Sequence, residues 1–200
     1  MEKTARKFWM ALPVAAVAVA LGGCGGGGND DSSPASGSNG SITDCFTVSK
    51  TVSFSLTSFN VPSGQIFPSR STAGPMTYNG QAVIGQTVFY LSGNTTYTES
   101  DYWMVANNGV ILIADVDYNG VATVDGTVFP QNMSPGQTAS DSSNDDISTF
   151  VGFETLSLAG KTFSNTCHFT AGQADAWFAP GYGMIKRIIN GGTWQYSGSL

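Results

Sequence analysis

Asn79-Gly80-Gln81-Ala82-Val83-Ile84-Gly85-Gln86-Thr87-Val88-Phe89-Tyr90-Leu91-Ser92-Gly93-Asn94 is the stretch that decides the fold class. Asn-Gly supplies the positive φ that a two-residue hairpin turn demands, Gln81 to Leu91 is rich in Val, Ile, Thr, Tyr and Phe, and Gly93-Asn94 makes a second turn signal. The pattern then repeats. Gly93-Asn94 precedes Thr95 to Val105, Asn108-Gly109 precedes Val110 to Val116, and Asn119-Gly120 and Asp125-Gly126 follow within a few residues. Strands joined by turns this short pair with their sequence neighbours, which reads as an up-and-down antiparallel meander.

Upstream, Phe46, Val48, Val52, Phe54 and Leu56 share one parity and Thr47, Ser49, Thr51, Ser53, Ser55 and Thr57 the other. This period of two predicts a first strand from Cys45, with a bend or strand end where Lys50 interrupts the apolar face. Gly64, Pro68 and Pro75 mark an irregular stretch. Downstream, Pro130 to Ser148 reads as the longest exposed loop, with the acidic run Asp141, Asp145, Asp146 inside it. Strands follow over Thr149 to Leu158, Lys161 to Thr170, Ala174 to Ala179, Met184 to Ile189 and Thr193 to Ser197, separated by Ala159-Gly160, Pro180-Gly181-Tyr182-Gly183 and Asn190-Gly191-Gly192. The expectation is an all-β domain over residues 44-200, a single antiparallel meander of nine or ten strands with no helix. It must curl into a strongly curved half-barrel or barrel, or fold into a β-sandwich, to bury its apolar face.

The N-terminal part is of another kind. Lys3, Arg6 and Lys7 precede a largely apolar run from Phe8 to Leu21, too short to span a bilayer as a helix, so residues 1-23 read as a signal peptide. Leu21-Gly22-Gly23-Cys24 resembles the bacterial lipobox, which implies that Cys24 is acylated and becomes the new N-terminus. Residues 24-43 then form a Gly/Ser tether without apolar periodicity. Gly25 after the cysteine, where Asp would retain the protein in the inner membrane of enterobacteria, implies the outer membrane. With Glu2, Lys3, Arg6 and Lys7 gone, five basic and thirteen acidic residues remain, a net charge of −8. That sign repels nucleic acid, and the membrane partner is reached through the lipid anchor alone.

Cys45 and Cys167 are the two cysteines left over, and in an exported chain they are expected to pair. Cys167 shares the inward parity of Phe163 and Phe169, but Cys45 falls on the polar parity of its predicted strand, so the bond requires a bulge or an early strand start. Asp115-Val116-Asp117-Tyr118-Asn119-Gly120 matches the opening of a calcium loop, with Asp115, Asp117 and Asn119 as candidate ligands; the twelfth position is Gly126, without a carboxylate, and flanking strands favour a plain hairpin turn. His168, the single histidine, is the base that any Ser-His-Asp hydrolase would need, yet it sits on an outward parity and no G-x-S-x-G occurs. Trp103, Trp177, Trp194 and Tyr196 offer stacking surfaces for sugars or a lipid groove, or simply core packing. No cofactor motif is present, and no catalytic residue is assigned.

Ala159-Gly160-Lys161-Thr162-Phe163, Cys167 and Ala176-Trp177-Phe178-Ala179-Pro180-Gly181-Tyr182-Gly183-Met184-Ile185-Lys186 together resemble the ending of uncharacterised bacterial envelope lipoproteins, and Met133-Ser134-Pro135-Gly136-Gln137-Thr138 is similar to a segment that precedes it there. The motif positions are Trp177, Pro180, Gly181, Gly183 and Lys186. Some of these proteins resemble the LolA/LolB-like carrier fold, a curved antiparallel half-barrel with an apolar concave face. The resemblance implies a non-catalytic envelope protein that binds an apolar or extended ligand, or an envelope protein, on the curved sheet; the other reading is a structural or adhesive surface domain with a filled core.

Overall fold

A computed structural model describes residues 40–60, 67–92, 94–140 and 147–200. The predicted signal peptide, Cys24, the tether as far as residue 39, Gly64, Gly93 and the acidic run Asp141, Asp145, Asp146 lie outside the described residues. A short helix, α1 (Ile42–Phe46), leads into β1 (Val52–Phe59), β2 (Phe67–Tyr78), β3 (Gln81–Ser92), β4 (Thr95–Ala106) and β5 (Gly109–Val116). Three short strands follow, β6 (Ala122–Val124), β7 (Val128–Pro130) and β8 (Thr138–Ser140). The chain ends with β9 (Ile147–Leu158), β10 (Lys161–Ala171), β11 (Ala174–Ala179), β12 (Gly183–Ile189) and β13 (Gly192–Ser199).

All thirteen strands belong to one antiparallel sheet, ordered β6-β5-β4-β3-β2-β1-β13-β12-β11-β10-β9-β8, with β7 also on β5. The sheet is strongly curved and does not close. β1 pairs with both β2 and β13, so the first and last strands meet in the middle of the sheet. Asn79 and Gly80 take φ of 48° and 81°, and Asn190 and Gly191 take 50° and 79°, the left-handed turns that the sequence pattern demands.

Four local expectations change. The helix α1 replaces the start of the predicted first strand. Cys45 and Phe46 are adjacent and both buried, which a strand with one buried face cannot provide and a helical turn can. Ser41 caps it, its hydroxyl accepting from Thr43 N–H, and the strand proper begins only at Val52, beyond the bend at Lys50. The predicted irregular stretch around Pro68 and Pro75 is largely β2; β1 covers only Arg70 to Ala73 of it, so both prolines sit where no β1 ladder needs their missing N–H. Asp125-Gly126 is not a hairpin turn: β6 and β7 flank it and both pair with β5, so it is a bulge within one edge segment. The Asp125 carboxylate fixes it by accepting from the N–H groups of Gly126 and Thr127 and from the Thr127 hydroxyl. Finally, the predicted loop after Pro130 contains β8, and β9 starts at Ile147. These short edge strands and the split at the bulge raise the count from nine or ten strands to thirteen.

Candidate functional site

The concave face has two chemically distinct regions. In the first, Phe46 of α1 projects into a nest of rings from distant strands: it stacks on Phe178 with centroids 4.4 Å apart and lies 5.5 Å from Phe129, 5.7 Å from Trp103 and 6.0 Å from Phe169. Trp103 Nε1 donates to the Phe46 carbonyl at 2.7 Å, and Ile42 N–H donates to the Gln131 carbonyl at 3.0 Å. The Cys45–Cys167 disulfide, which spans 122 residues, bonds the helix to β10. This is the pairing expected from the sequence. The parity conflict at Cys45 disappears because Cys45 is on a helix.

In the second region the concave row of β4 turns polar, running from Trp103 through Asp101 to Glu99. Register sets Asp101 directly opposite Asp115 of β5. Across the interior stands Arg187 of β12, buried to 5% exposure. Tyr90 of β3 donates its hydroxyl to Glu99 Oε2. Burial pushes the Glu99 carboxyl up to about 7, with the bond from Tyr90 and the charge of Arg187 pulling the other way and Asp101 adding to the rise. Burial likewise raises Asp101 to about 7, opposed by Arg187 and reinforced by Asp115 and Asp125. The Tyr90 phenol is held well above 10 by burial and then by Glu99. Where the two regions meet is a cavity of about 30 Å³, lined by Phe46, Trp103, Phe129 and Phe178 on the apolar side and by Asp101 and Arg187 on the other. That is room for one or two waters.

On the convex face, His168 stands between two strands. Its Nδ1 lies 2.7 Å from Glu154 of β9 and its Nε2 2.9 Å from Asp175 of β11. The ring stacks on Trp177 at 4.1 Å, Trp177 Nε1 donates to Glu154 Oε2 at 3.0 Å, and Lys186 Nζ sits 4.1 Å from the centroid of the same indole. Both imidazole nitrogens are engaged by carboxylates, so neither is left to take a proton from a serine. Trp177 and Lys186, nine positions apart in the sequence motif, are register partners on β11 and β12 and form one cross-strand cluster with His168.

The rest of the motif is a turn. Gly181 and Gly183 have φ of 78° and 72°, and Gly181 N–H donates to the Thr47 carbonyl at 2.9 Å. Buried Gln86 of β3 reaches across the interior to this turn: its Oε1 accepts from Met184 N–H at 2.7 Å, and its Nε2 donates to the Met184 carbonyl and to Ser71 Oγ, both at 2.8 Å. Lys161 Nζ bonds the Tyr182 hydroxyl and lies over its ring. Gln86, Glu99, Asp101 and Arg187 are not among the residues that the sequence singles out, because polar residues within a strand pattern carry no signal of which face they occupy when the other face is also half polar. Trp103, Trp177, Trp194 and Tyr196 are all buried.

The calcium candidates divide. Asp115 belongs to β5 and faces Asp101, while Asp117 accepts from Asn119 N–H at 2.8 Å and Val121 N–H at 2.9 Å, capping its own turn. Among the described residues no group of three His, Cys, Asp or Glu side chains is placed to hold a metal ion. Comparison with protein-family models, with curated proteins and with solved structures finds no match to this chain.

Proposed function

We propose that the chain is a non-catalytic protein of the bacterial cell envelope, anchored in the outer membrane by a lipid on Cys24, whose β-domain engages an envelope partner with its outer surface. What carries the reading is the aromatic filling of the concave face around α1 among the described residues. Phe46 and its surrounding rings leave about 30 Å³, far below the several hundred Å³ of an ordinary ligand pocket. The engagement of both His168 nitrogens by carboxylates supports the absence of hydrolase chemistry. An exported, disulfide-stapled β-domain after a Gly/Ser tether is the composition of a surface-displayed module.

A second reading, an apolar ligand bound on the concave face, is favoured by one observation: aromatic side chains together with Asp101 and Arg187 line the same cavity, an arrangement suited to orienting a small amphiphile if Phe46 withdrew. Mass spectrometry of organic extracts from the protein purified out of envelopes separates the two. The filled-core reading expects no small molecule beyond the acyl chains of the anchor, and stoichiometric recovery of an apolar compound overturns it in favour of the second. Metabolic palmitate labelling tests the anchor: Cys24→Ser is expected to carry no label, and label persisting in that variant defeats it.

A further inference from the structure

The concave carboxylates are arranged in a way that the fold alone does not require. Like charges directly opposite one another in an antiparallel pair are unfavourable, yet register sets Asp101 of β4 against Asp115 of β5 on the face turned to the interior. The other charged and titratable groups acting on Asp101 and Glu99 come from every element around them: Tyr90 from β3, Asp125 from the bulge between β6 and β7, and Arg187 from β12. Among the described residues, four carboxyls and the Arg187 guanidinium thus share one corner, at the junction that holds the edge segment, β5 with β6 and β7, to the body of the sheet.

We propose that Asp101 and Asp115, with Glu99 and Arg187, form a proton-operated latch that fastens the β5–β6–β7 edge to β4 and loosens it as the interior carboxyls give up their protons. A proton held on Asp101 turns the repelling pair into one that can share it; loss of that proton to water leaves two anions opposed across a ladder, relieved when the edge opens and water enters. The raised values of Glu99 and Asp101, both about 7, put the loosening near neutral pH. Loosening this edge uncovers Trp103 and Leu112, which line the interior cavity, so the latch controls access to that space. It is independent of which partner the outer surface engages.

Hydrogen exchange of the full chain at pH 5.5, 7.0 and 8.5, corrected for intrinsic rates, tests this. The amides of β5 and of residues 122–130 are expected to lose protection by at least about tenfold more than those of β10 and β11 between the lowest and highest pH, one pKa unit of differential proton binding corresponding to a tenfold change. Asp101→Asn and, separately, Asp115→Asn are expected to shrink the difference severalfold while keeping the edge protected, the remainder coming from the buried carboxyls left in place; using both guards against one variant failing to fold. Protection of the edge that is independent of pH in the parent, or a pH dependence that survives unchanged in both variants, overturns the latch.

Discussion

Gly183 and Gly181 have the same backbone conformation but different surroundings, which makes them a controlled pair. A Cβ on Gly183 would come within 2.5 Å of Gln86 Oε1, the atom that receives Met184 N–H, whereas a Cβ on Gly181 would meet nothing within 4 Å. Both lie in the left-handed region, where a β-branched side chain costs about 1–3 kcal/mol. Gly181→Val is therefore expected to lower the melting temperature by several degrees, and Gly183→Val by clearly more, since it also displaces a buried amide whose hydrogen bonds cross the interior. Thermal melts followed by circular dichroism check this; equal effects at the two positions would mean that the Gln86 contact adds nothing. The need for glycine here was legible, because a Pro-Gly-Tyr-Gly turn between apolar strands calls for positive φ. That the second glycine makes room for a glutamine was not, since Gln86 lies almost a hundred residues earlier and no local pattern connects them.

At the scale of elements, α1 is five residues long, far too short to be stable by itself. It exists because three things hold it: the bond to β10, the indole of Trp103, and the burial of Ile42 and Phe46. Truncating Phe46 to Ala removes the ring at the centre of the aromatic nest and is expected to cost about 3–5 kcal/mol. Chemical denaturation measures it, and a loss under about 1 kcal/mol would mean that the interior collapses to fill the space and that Phe46 is no keystone. Reducing the disulfide acts on the unfolded chain instead. Opening a loop of 122 residues relaxes a constraint worth roughly 4–5 kcal/mol in the chain-entropy account, so a melt in reductant is expected to fall well below the oxidised one. The hairpins were readable because turn residues act within two or three positions. The helix was not, as Phe46 and Val48 continue the alternation of β1 and only the joint burial of Cys45 and Phe46, a tertiary fact, breaks it. The bulge at Asp125-Gly126 carries the same dipeptide as a hairpin turn, and what distinguishes them is that β5 is long enough to pair on both sides.

For the whole molecule, the interior carboxyls give stability a pH dependence of unusual sign. Glu99 and Asp101 hold protons to about 7 in the fold against ordinary values of 4.5 and 3.8. Between about pH 4 and pH 7 the folded form thus binds more protons than the unfolded one, and this contribution to stability is largest below that window and falls as pH rises through it. The melting temperature is expected to be higher at pH 5.5 than at pH 8, and Asp101→Asn to raise it at pH 8 with little change at pH 5.5. A parent that melts higher at pH 8 would show that other groups dominate the balance. The meander was predictable because every strand except β7 pairs with a neighbour in sequence. The joining of β1 to β13 was beyond reach of the sequence, since it is a contact between the first and last strands decided by the curvature of the whole sheet.

That joining, together with the cystine, governs how the domain would bear a mechanical load. A pull from the N-terminal side travels through residues 40 to 44 and arrives at Cys45 before it reaches β1. The cystine hands the tension to β10 by covalent bonds, so the ladders flanking β1 are not the first thing to be unzipped. Held from its N-terminal side, the domain is in this way suspended from the interior of its sheet.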